Sequence, residues 1–245
     1  MSQIIISGGG TGIGLATARA YAADGHRVVI IGRRAERVES AAKELNEECG
    51  EERVFPLAAD LSDPAECDRI AGRVAESGEP VDVLVNNAGG AFGPASVTTT
   101  EDVALNYQAN FEGNVLPVVL LTHALLPQLR RPGGAIVTVS SIAAVRGPGA
   151  YGGSKAVLNA ATFEWAAKLA PEGIRANAVA PGFTEATEFF GDRMNPEFHA
   201  GRVEQTLLKR AGTPEEIAEA IRYLAGAANV TGQILHVNGG AVLGR

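Results

Sequence analysis

The chain has 245 residues, of which 46% are hydrophobic and 20% charged, and its net charge at pH 7 is −7. This length and composition predict one soluble α/β domain spanning residues 1–245, with a sizeable core. The acidic balance argues against a nucleic-acid-binding surface, and no run of 18 apolar residues predicts a membrane span.

Cysteine and histidine are scarce, which argues against a disulfide framework or a metal site. Cys49 and Cys67 lie in segments of different pattern, and the four histidines are scattered along the chain. The N-terminus runs into Ile4 without a basic segment, so no secretory signal is expected. We therefore predict no bound metal and a reducing, cytoplasmic location.

A short apolar strand over residues 3–7 is predicted to lead into a glycine-rich turn and then a helix. The turn reads Ser7-Gly8-Gly9-Gly10-Thr11-Gly12-Ile13-Gly14. Strand, turn and helix in this order form a phosphate site, because glycines let the backbone approach a pyrophosphate and a helix N-terminus offers free N–H groups. A plain flexible turn is the alternative. The expected nucleotide contacts are Gly8, Thr11, Gly12, Ile13 and Gly14.

The second predicted strand, residues 27–32, is followed by Arg33 and Arg34. A dinucleotide fold usually carries an acid here, which binds the ribose 2′-hydroxyl. A guanidinium suits a 2′-phosphate instead, by charge and by bidentate geometry, so NADP(H) is favoured over NAD(H). The alternative is that both arginines are solvated charges at the start of a helix.

Two further strand ends add candidate nucleotide contacts. The third strand, residues 53–59, ends at Asp60-Leu61, where a carboxylate could meet the adenine amino group. The fourth, residues 81–85, runs into Asn86-Asn87-Ala88-Gly89. Asparagine side chains can hold the backbone there, while Ala88 and Gly89 leave room for a ligand. Taken alone, this second motif could be only a turn.

A helical segment from residue 101 contains Asn114 and then Pro117. Proline cannot donate to the carbonyl of Gly113, so a kink is expected beside Asn114, with a freed carbonyl able to hold a water. The apolar helix over 115–129 is predicted to be buried or to lie at a subunit contact.

The fifth strand, residues 134–140, places the hydroxyl of Ser141 at the carboxyl edge of the sheet, where open α/β sheets bind ligands. On the helix that follows, Tyr151 and Lys155 stand at i and i+4 and share one face. A nearby ammonium is expected to lower the tyrosine pKa and make the phenol a usable general acid/base. In isolation this spacing is more often a pair of surface side chains.

The sixth strand, residues 174–180, ends at Pro181-Gly182-Phe183-Thr184. Residues 184–208 are predicted to form a lid over a substrate pocket, with a surface excursion as the alternative. A helix over 214–225 and a strand over 233–237 complete the chain. Together the elements predict a single-domain Rossmann fold, a doubly wound seven-stranded parallel sheet with helices on both faces.

These motifs, in this order, resemble the classical short-chain dehydrogenase/reductase family, with similarity to 3-oxoacyl-carrier-protein reductases and polyketide ketoreductases. The family's TGxxxGxG pattern corresponds to Ser7-Gly8 with Gly12 and Gly14, and its NNAG to Asn86–Gly89. The remaining matches are Asn114, Ser141, Tyr151 with Lys155, Pro181-Gly182, Thr231-Gly232-Gln233 and Gly239-Gly240.

The resemblance implies an NADP(H)-dependent oxidoreductase acting on a carbonyl or secondary alcohol. Tyr151 would exchange a proton with the substrate oxygen, while Lys155 would hold the ribose hydroxyls. Ser141 would bind the substrate carbonyl, and Asn114 would support a water relay to Lys155. Pro181, Gly182, Phe183 and Thr184 would border the nucleotide. The resemblance also implies a homotetramer or dimer, for which the apolar helices 115–129 and 156–169 are candidates.

Three departures from the family pattern leave alternatives open. Ser141 and Tyr151 are ten positions apart, closer than is usual, so Ser140 is a second candidate hydroxyl. Ala186 stands where the family often has Thr, with Thr184 and Thr187 beside it. Thr11 is not basic, so 2′-phosphate recognition would depend on the two arginines.

Two other functions remain open at this stage. One is a redox-neutral isomerase or epimerase that uses bound NADP. The other is a non-catalytic, cofactor-binding regulatory protein, which would have no need of a tyrosine and a lysine at helical spacing.

Overall fold

The computed structural model describes residues 1–147, 149–187, 189 and 195–243. Seven strands in this part of the chain form one parallel sheet in the order β3-β2-β1-β4-β5-β6-β7. The strands are β1 (Gln3–Ser7), β2 (Arg27–Gly32), β3 (Val54–Ala58), β4 (Val81–Asn86), β5 (Ala135–Val139), β6 (Arg175–Pro181) and β7 (Ile234–Val237). All seven were predicted from apolar runs, with shifts of one residue at some ends.

Helices cover both faces of the sheet, which confirms the doubly wound architecture. They are α1 (Gly12–Ala23), α2 (Ala35–Cys49), α3 (Pro64–Ala75), α4 (Thr100–Asn114), α5 (Leu116–Leu125), α6 (Ala143–Arg146), α7 (Gly149–Leu169), α8 (Pro196–Glu204) and α9 (Pro214–Gly226). The helices α1, α2 and α9 bury one apolar cluster against the sheet. On the opposite face, α3, α5 and α7 bury a second cluster.

The order of the strands reverses at β1, which lies between β2 and β4. Ser7 pairs in register with Ile31 of β2, and Ile6 pairs with Val85 of β4. The carboxyl ends of these three strands therefore meet at the topological switch point, where open α/β sheets form their ligand crevice. The glycine-rich turn and the residues that follow β4 lie side by side there.

The predicted kink lies between α4 and α5. Pro117 has no N–H for the carbonyl of Gly113, and the N–H of Val118 donates to the carbonyl of Val115 at 3.1 Å. Asn114 is thus the last residue of one helix, fully buried, and Leu116 begins the next. The break places the backbone around Asn114 at the crevice rather than within a continuous helix.

The apolar face of α5 belongs to the core. Helical segments over Thr100–Gln128 are long and apolar enough to cross a membrane by length and composition alone. Leu121 and Leu125 are fully buried in the cluster against the sheet, however. Of the two interpretations of 115–129, burial in the core is therefore confirmed for these leucines, and the subunit contact stays a prediction.

Candidate active site

The glycine-rich turn is fixed to the end of β4 by hydrogen bonds. The Ser7 hydroxyl accepts from the backbone N–H groups of Asn87 and Ala88, both at 3.0 Å. In return, the Asn87 side-chain amide donates to the carbonyls of Ser7 and Gly8, at 3.1 and 3.0 Å. Because the two chain segments hold each other, the turn is rigid before any ligand arrives.

The geometry of the turn suits a bound pyrophosphate. Gly8 and Gly12 have φ of 66° and 52°, a left-handed conformation that favours glycine. Thr11 is the N-cap of α1 but makes no side-chain capping bond, and the first turn of the helix carries no acid. The N–H groups of Gly12, Ile13 and Gly14 therefore begin an uncapped helix N-terminus, which attracts anions.

Gly14 allows α1 to pack directly against the turn. A Cβ atom placed there would overlap the carbonyl oxygen of Gly8. We expect Gly14→Ala to lower the free energy of unfolding by about 2 kcal/mol, because the helix must move away from β1. Gly153→Ala is the matched control, since nothing lies within 4 Å of a Cβ there. Urea unfolding of both variants tests this, and equal stabilities would contradict it.

The ends of β2 and β3 place the predicted adenosine contacts together. The Asp60 carboxylate accepts from the Ser62 hydroxyl at 2.7 Å and from its N–H at 3.0 Å. These bonds, and more weakly the nearby Arg33 guanidinium, lower the pKa of Asp60. Arg33 and Arg34 are exposed. Leu61 is buried in the core, so its side chain does not face a ligand.

Gly89, Asn114 and Lys155 converge at the end of β4. A Cβ atom at Gly89 would lie 2.7 Å from the Asn114 Oδ1 and 3.2 Å from the Lys155 Nζ. The Asn114 amide group exchanges two hydrogen bonds with the backbone of Gly90, each of 3.0 Å. The structure therefore brings together three motifs that are separated by up to 66 positions in the sequence.

Lys155 is an almost completely buried amine. Its side chain is 4% exposed, and its Nζ donates to the carbonyl of Val139 at 3.0 Å. Burial disfavours the charged form and lowers the pKa of Lys155 to about 8. Near neutral pH the group is still mostly an ammonium, with further N–H donors beyond the one that Val139 uses.

Tyr151 lies beside Ser141, not in an electrostatic pair with Lys155. Burial raises the pKa of Tyr151, and a hydrogen bond with the Ser141 side chain opposes the rise without cancelling it. The prediction that the ammonium lowers this pKa is wrong for the structure, because burial outweighs the opposing influence, which comes from Ser141; the Lys155 amine donates to the Val139 carbonyl. A raised pKa favours the neutral phenol, which can donate a proton.

The two candidate hydroxyls at the end of β5 have different partners. Ser140 is 3% exposed and donates to the backbone carbonyl of Lys155 at 3.2 Å. Ser141 is partly exposed, accepts from the N–H of Ala143 at 3.0 Å, and faces Tyr151. The shorter loop thus keeps Ser141 next to the phenol, while Ser140 joins β5 to α7.

After β6, Thr187 is the threonine that lies on the glycine-rich turn. A Cβ atom at Gly12 would meet its methyl group at 3.3 Å. Thr184 is 5% exposed, and its hydroxyl donates to the carbonyl of Gly182 at 3.4 Å. Ala186, one of the two residues between them, has a φ of 54°, a left-handed turn just before Thr187.

Phe183, the residue before the predicted lid, packs on α8, which is part of that lid. The Phe183 ring is 7% exposed and makes an edge contact with His199, 5.2 Å between centroids. Its side chain is therefore part of the packing beneath α8. The carbonyl of Pro181 accepts a hydrogen bond from the N–H of Ile142, and the N–H of Gly182 donates to the carbonyl of Val237. Residues 188, 190–194 of the lid lie outside the described residues.

Sequence reasoning missed two aromatic neighbours of the site. Phe189 lies against Tyr151, with ring centroids 5.3 Å apart, and contributes to the burial of the phenol. Phe92, in the loop after β4, lies 5.9 Å from the Arg33 guanidinium. Both stand in segments without a helical or strand period, so no pattern in the sequence identified them.

Comparisons with known proteins cover almost the whole chain. A family profile described as enoyl-(acyl carrier protein) reductase matches residues 8–242. A 3-oxoacyl-(acyl-carrier-protein) reductase, FabG, of Thermotoga maritima is 32% identical over 98% of this chain and 97% of its own. A short chain dehydrogenase from Burkholderia cenocepacia in complex with NADP has a TM-score of 0.85 at 31% identity, covering 98% of this chain and 97% of that one. The RhlG/NADP active-site complex from Pseudomonas aeruginosa has a TM-score of 0.87 at 30% identity, covering 99% and 96%.

Proposed function

The chain belongs to the short-chain dehydrogenase/reductase family, and from that premise we propose that it is an NADP(H)-dependent oxidoreductase that reduces a carbonyl to a secondary alcohol. The observation that carries the proposal is the partly buried Tyr151 phenol, which lies beside Ser141 and one helical turn from the buried amine of Lys155. A phenol that carries its proton can deliver it to a carbonyl oxygen, which is the proton transfer that reduction requires.

Each residue of the site has a separate task in this proposal. Bound NADPH supplies a hydride from its nicotinamide ring to the carbonyl carbon. Tyr151 gives its proton to the carbonyl oxygen, and the Ser141 hydroxyl stabilises the charge that develops there. Lys155 holds the ribose hydroxyls through its remaining N–H groups, and the backbone freed at the Asn114 kink holds a water for proton resupply.

Four observations support NADP(H) as the nucleotide. The uncapped start of α1 offers N–H groups to the pyrophosphate, and Thr187 lies on the same turn. Arg33 and Arg34 follow β2 where an acid would otherwise select the 2′-hydroxyl. Two of the similar solved structures contain NADP. We propose Thr187, in place of Thr184, as the threonine that contacts the nucleotide.

The experiment that tests the function combines binding and turnover. Purified protein is titrated with NADPH and NADH and then incubated with NADPH and a broad panel of ketones. We expect NADPH to bind more tightly than NADH, and its absorbance to fall in the presence of at least one ketone. Absence of turnover across the panel, with NADPH bound, would favour a binding protein over an enzyme.

We also propose that the protein self-associates in the cytoplasm through α4 and α7. Exposed apolar side chains on these two neighbouring helices include Val103, Tyr107 and Phe111, four residues apart on α4, and Val157 and Phe163 on α7. Free Cys49 and Cys67 fit a reducing compartment. The proposed contact keeps the predicted segment 156–169, which lies in α7, and adds α4 to it.

Replacing Phe163 with glutamate is expected to dissociate the oligomer, because a carboxylate would be buried without a partner at the contact. Phe163 is 51% exposed in the isolated chain. Leu105→Glu is the control. Leu105 is similarly exposed, at 49%, but it lies on a different face of α4 from Val103 and Tyr107. Light scattering should give a smaller mass for the Phe163 variant only; an unchanged mass would refute the contact.

A further inference from the structure

Three asparagines on α4 hold the loop that follows β4. Asn106, Asn110 and Asn114 are spaced by four residues and share one face of the helix. The Asn110 side-chain amide donates to the carbonyl of Phe92 at 2.7 Å and to the Asn106 Oδ1 at 3.0 Å. With Asn114 bonded to Gly90, the loop backbone is fastened at two points, and Asn110 is 2% exposed.

The Phe92 ring lies in a notch made by two glycines. A Cβ atom at Gly113 would overlap the ring edge, and one at Gly90 would lie 3.3 Å from its Cζ atom. The ring is partly buried. Its position is thus set by the shape of the notch and by the hydrogen bonds of its own backbone to Asn110.

This position brings Phe92 to Arg33 across the switch point. Arg33 follows β2 and Phe92 follows β4, the two strands on either side of β1. The Arg33 guanidinium carbon lies 5.9 Å from the ring centroid, within the range of a cation–π contact. Asp60, whose pKa Arg33 lowers, flanks the same guanidinium at the end of β3. The exposed Arg33 side chain therefore lies between the Phe92 ring and the Asp60 carboxylate, at the carboxyl ends of the strands.

We propose that Phe92 is a specificity-determining residue for the nucleotide: it holds Arg33 in place to receive the 2′-phosphate, and Asn110 is the positioning residue that holds Phe92. The inference rests on the proposed use of NADP(H). A guanidinium that is already in place loses less side-chain entropy when it binds a phosphate. The affinity therefore rises for NADPH, which carries the 2′-phosphate, and not for NADH.

Calorimetric titration with NADPH and with NADH tests this on four proteins: wild type, Phe92→Leu, Arg33→Met and the double variant. Phe92→Leu keeps an apolar side chain in the notch but removes the ring face. We expect it to weaken NADPH binding about threefold, the size of an exposed cation–π contact, and to leave NADH binding unchanged. In the Arg33→Met background the same change should have no effect.

Two further variants separate the ring from the loop. Phe92→Tyr, which keeps the ring face, should bind NADPH like wild type. Asn110→Ala should reproduce the NADPH-selective loss, because Phe92 is no longer fastened.

An equal loss for both nucleotides, no loss at all, or a loss that persists without Arg33 would overturn the inference. Thermal melting confirms that each variant is folded; if Phe92→Leu is not, the comparison of Phe92→Tyr and Asn110→Ala decides. A wild-type protein that binds neither nucleotide would instead refute the proposed function itself.

Discussion

Replacing Tyr151 with phenylalanine is expected to lower kcat about a thousandfold and to leave the affinity for NADPH within about a factor of two. The large effect follows because the phenol is the only proton donor proposed for the substrate oxygen, and general acids contribute two to four orders of magnitude. The ring itself is retained, so the contact with Phe189 and the fold around α7 are preserved.

Tyr223→Phe is the matched control for this variant. Tyr223 is 59% exposed on α9, and loss of its hydroxyl should leave kcat unchanged. Steady-state rates with NADPH and the best ketone, together with NADPH titrations, measure both expectations. A Tyr151 variant with more than about a tenth of wild-type kcat would show that another group delivers the proton.

The second large effect concerns Lys155. Replacing it with methionine is expected to abolish turnover yet to raise the free energy of unfolding at pH 7 by about 2 kcal/mol. The fall of the Lys155 pKa from 10.5 to about 8 corresponds to a burial cost of roughly 3 kcal/mol for the ammonium. About 1 kcal/mol is lost again when the Val139 carbonyl has no donor.

The gain in stability should depend on pH in a defined direction. Below about pH 8 the lysine is charged in both folded and unfolded states, so the full cost is present. Between about pH 8 and 10.5 the unfolded chain binds more protons than the folded one, so the wild-type stability rises with pH. The advantage of the methionine variant should therefore shrink across this range.

Urea unfolding of wild type and Lys155→Met at pH 7 and pH 10 measures this difference. Lys168→Met is the control, because Lys168 is exposed and forms an ion pair with Glu164 at the surface. A methionine variant that is less stable than wild type at pH 7 would show that the amine contributes more through its contacts than it loses through burial.

The sheet could be predicted from the sequence because its buried strands are mostly short apolar runs. The run over Arg27–Gly32, for example, is buried at its four central positions. The kink at Asn114 was also predictable, since it follows from the missing N–H of Pro117 alone. These features depend on residues that are close together in the sequence, so the sequence alone predicts them.

The direction of the Tyr151 pKa shift was not predictable from the spacing of Tyr151 and Lys155. Helical geometry places both side chains on one face, but it does not say that the Val139 carbonyl holds the amine. Likewise the apolar pattern of α5 could not show whether the sheet or a second subunit covers it. Such questions depend on contacts between distant segments of the chain.

The contact between Phe92 and Arg33 also depends on segments that are distant in the sequence, so it was not predictable either. Two glycines and one asparagine on separate segments form the notch, and none of the three is distinctive in isolation. The glycines at 90 and 113 are explained only by the ring that occupies the space of their missing side chains. The sequence shows that these positions are glycines, but it does not show which side chain packs against them.

The most direct test of the account follows a labelled hydride from nucleotide to product. NADPH deuterated at the transferring position of the nicotinamide is incubated with the protein and its best ketone, and the products are analysed by mass spectrometry and NMR. The account predicts an alcohol with one deuterium on the carbinol carbon, formed in step with NADPH consumption and lost in Tyr151→Phe. An unlabelled product formed without net consumption of NADPH would contradict it.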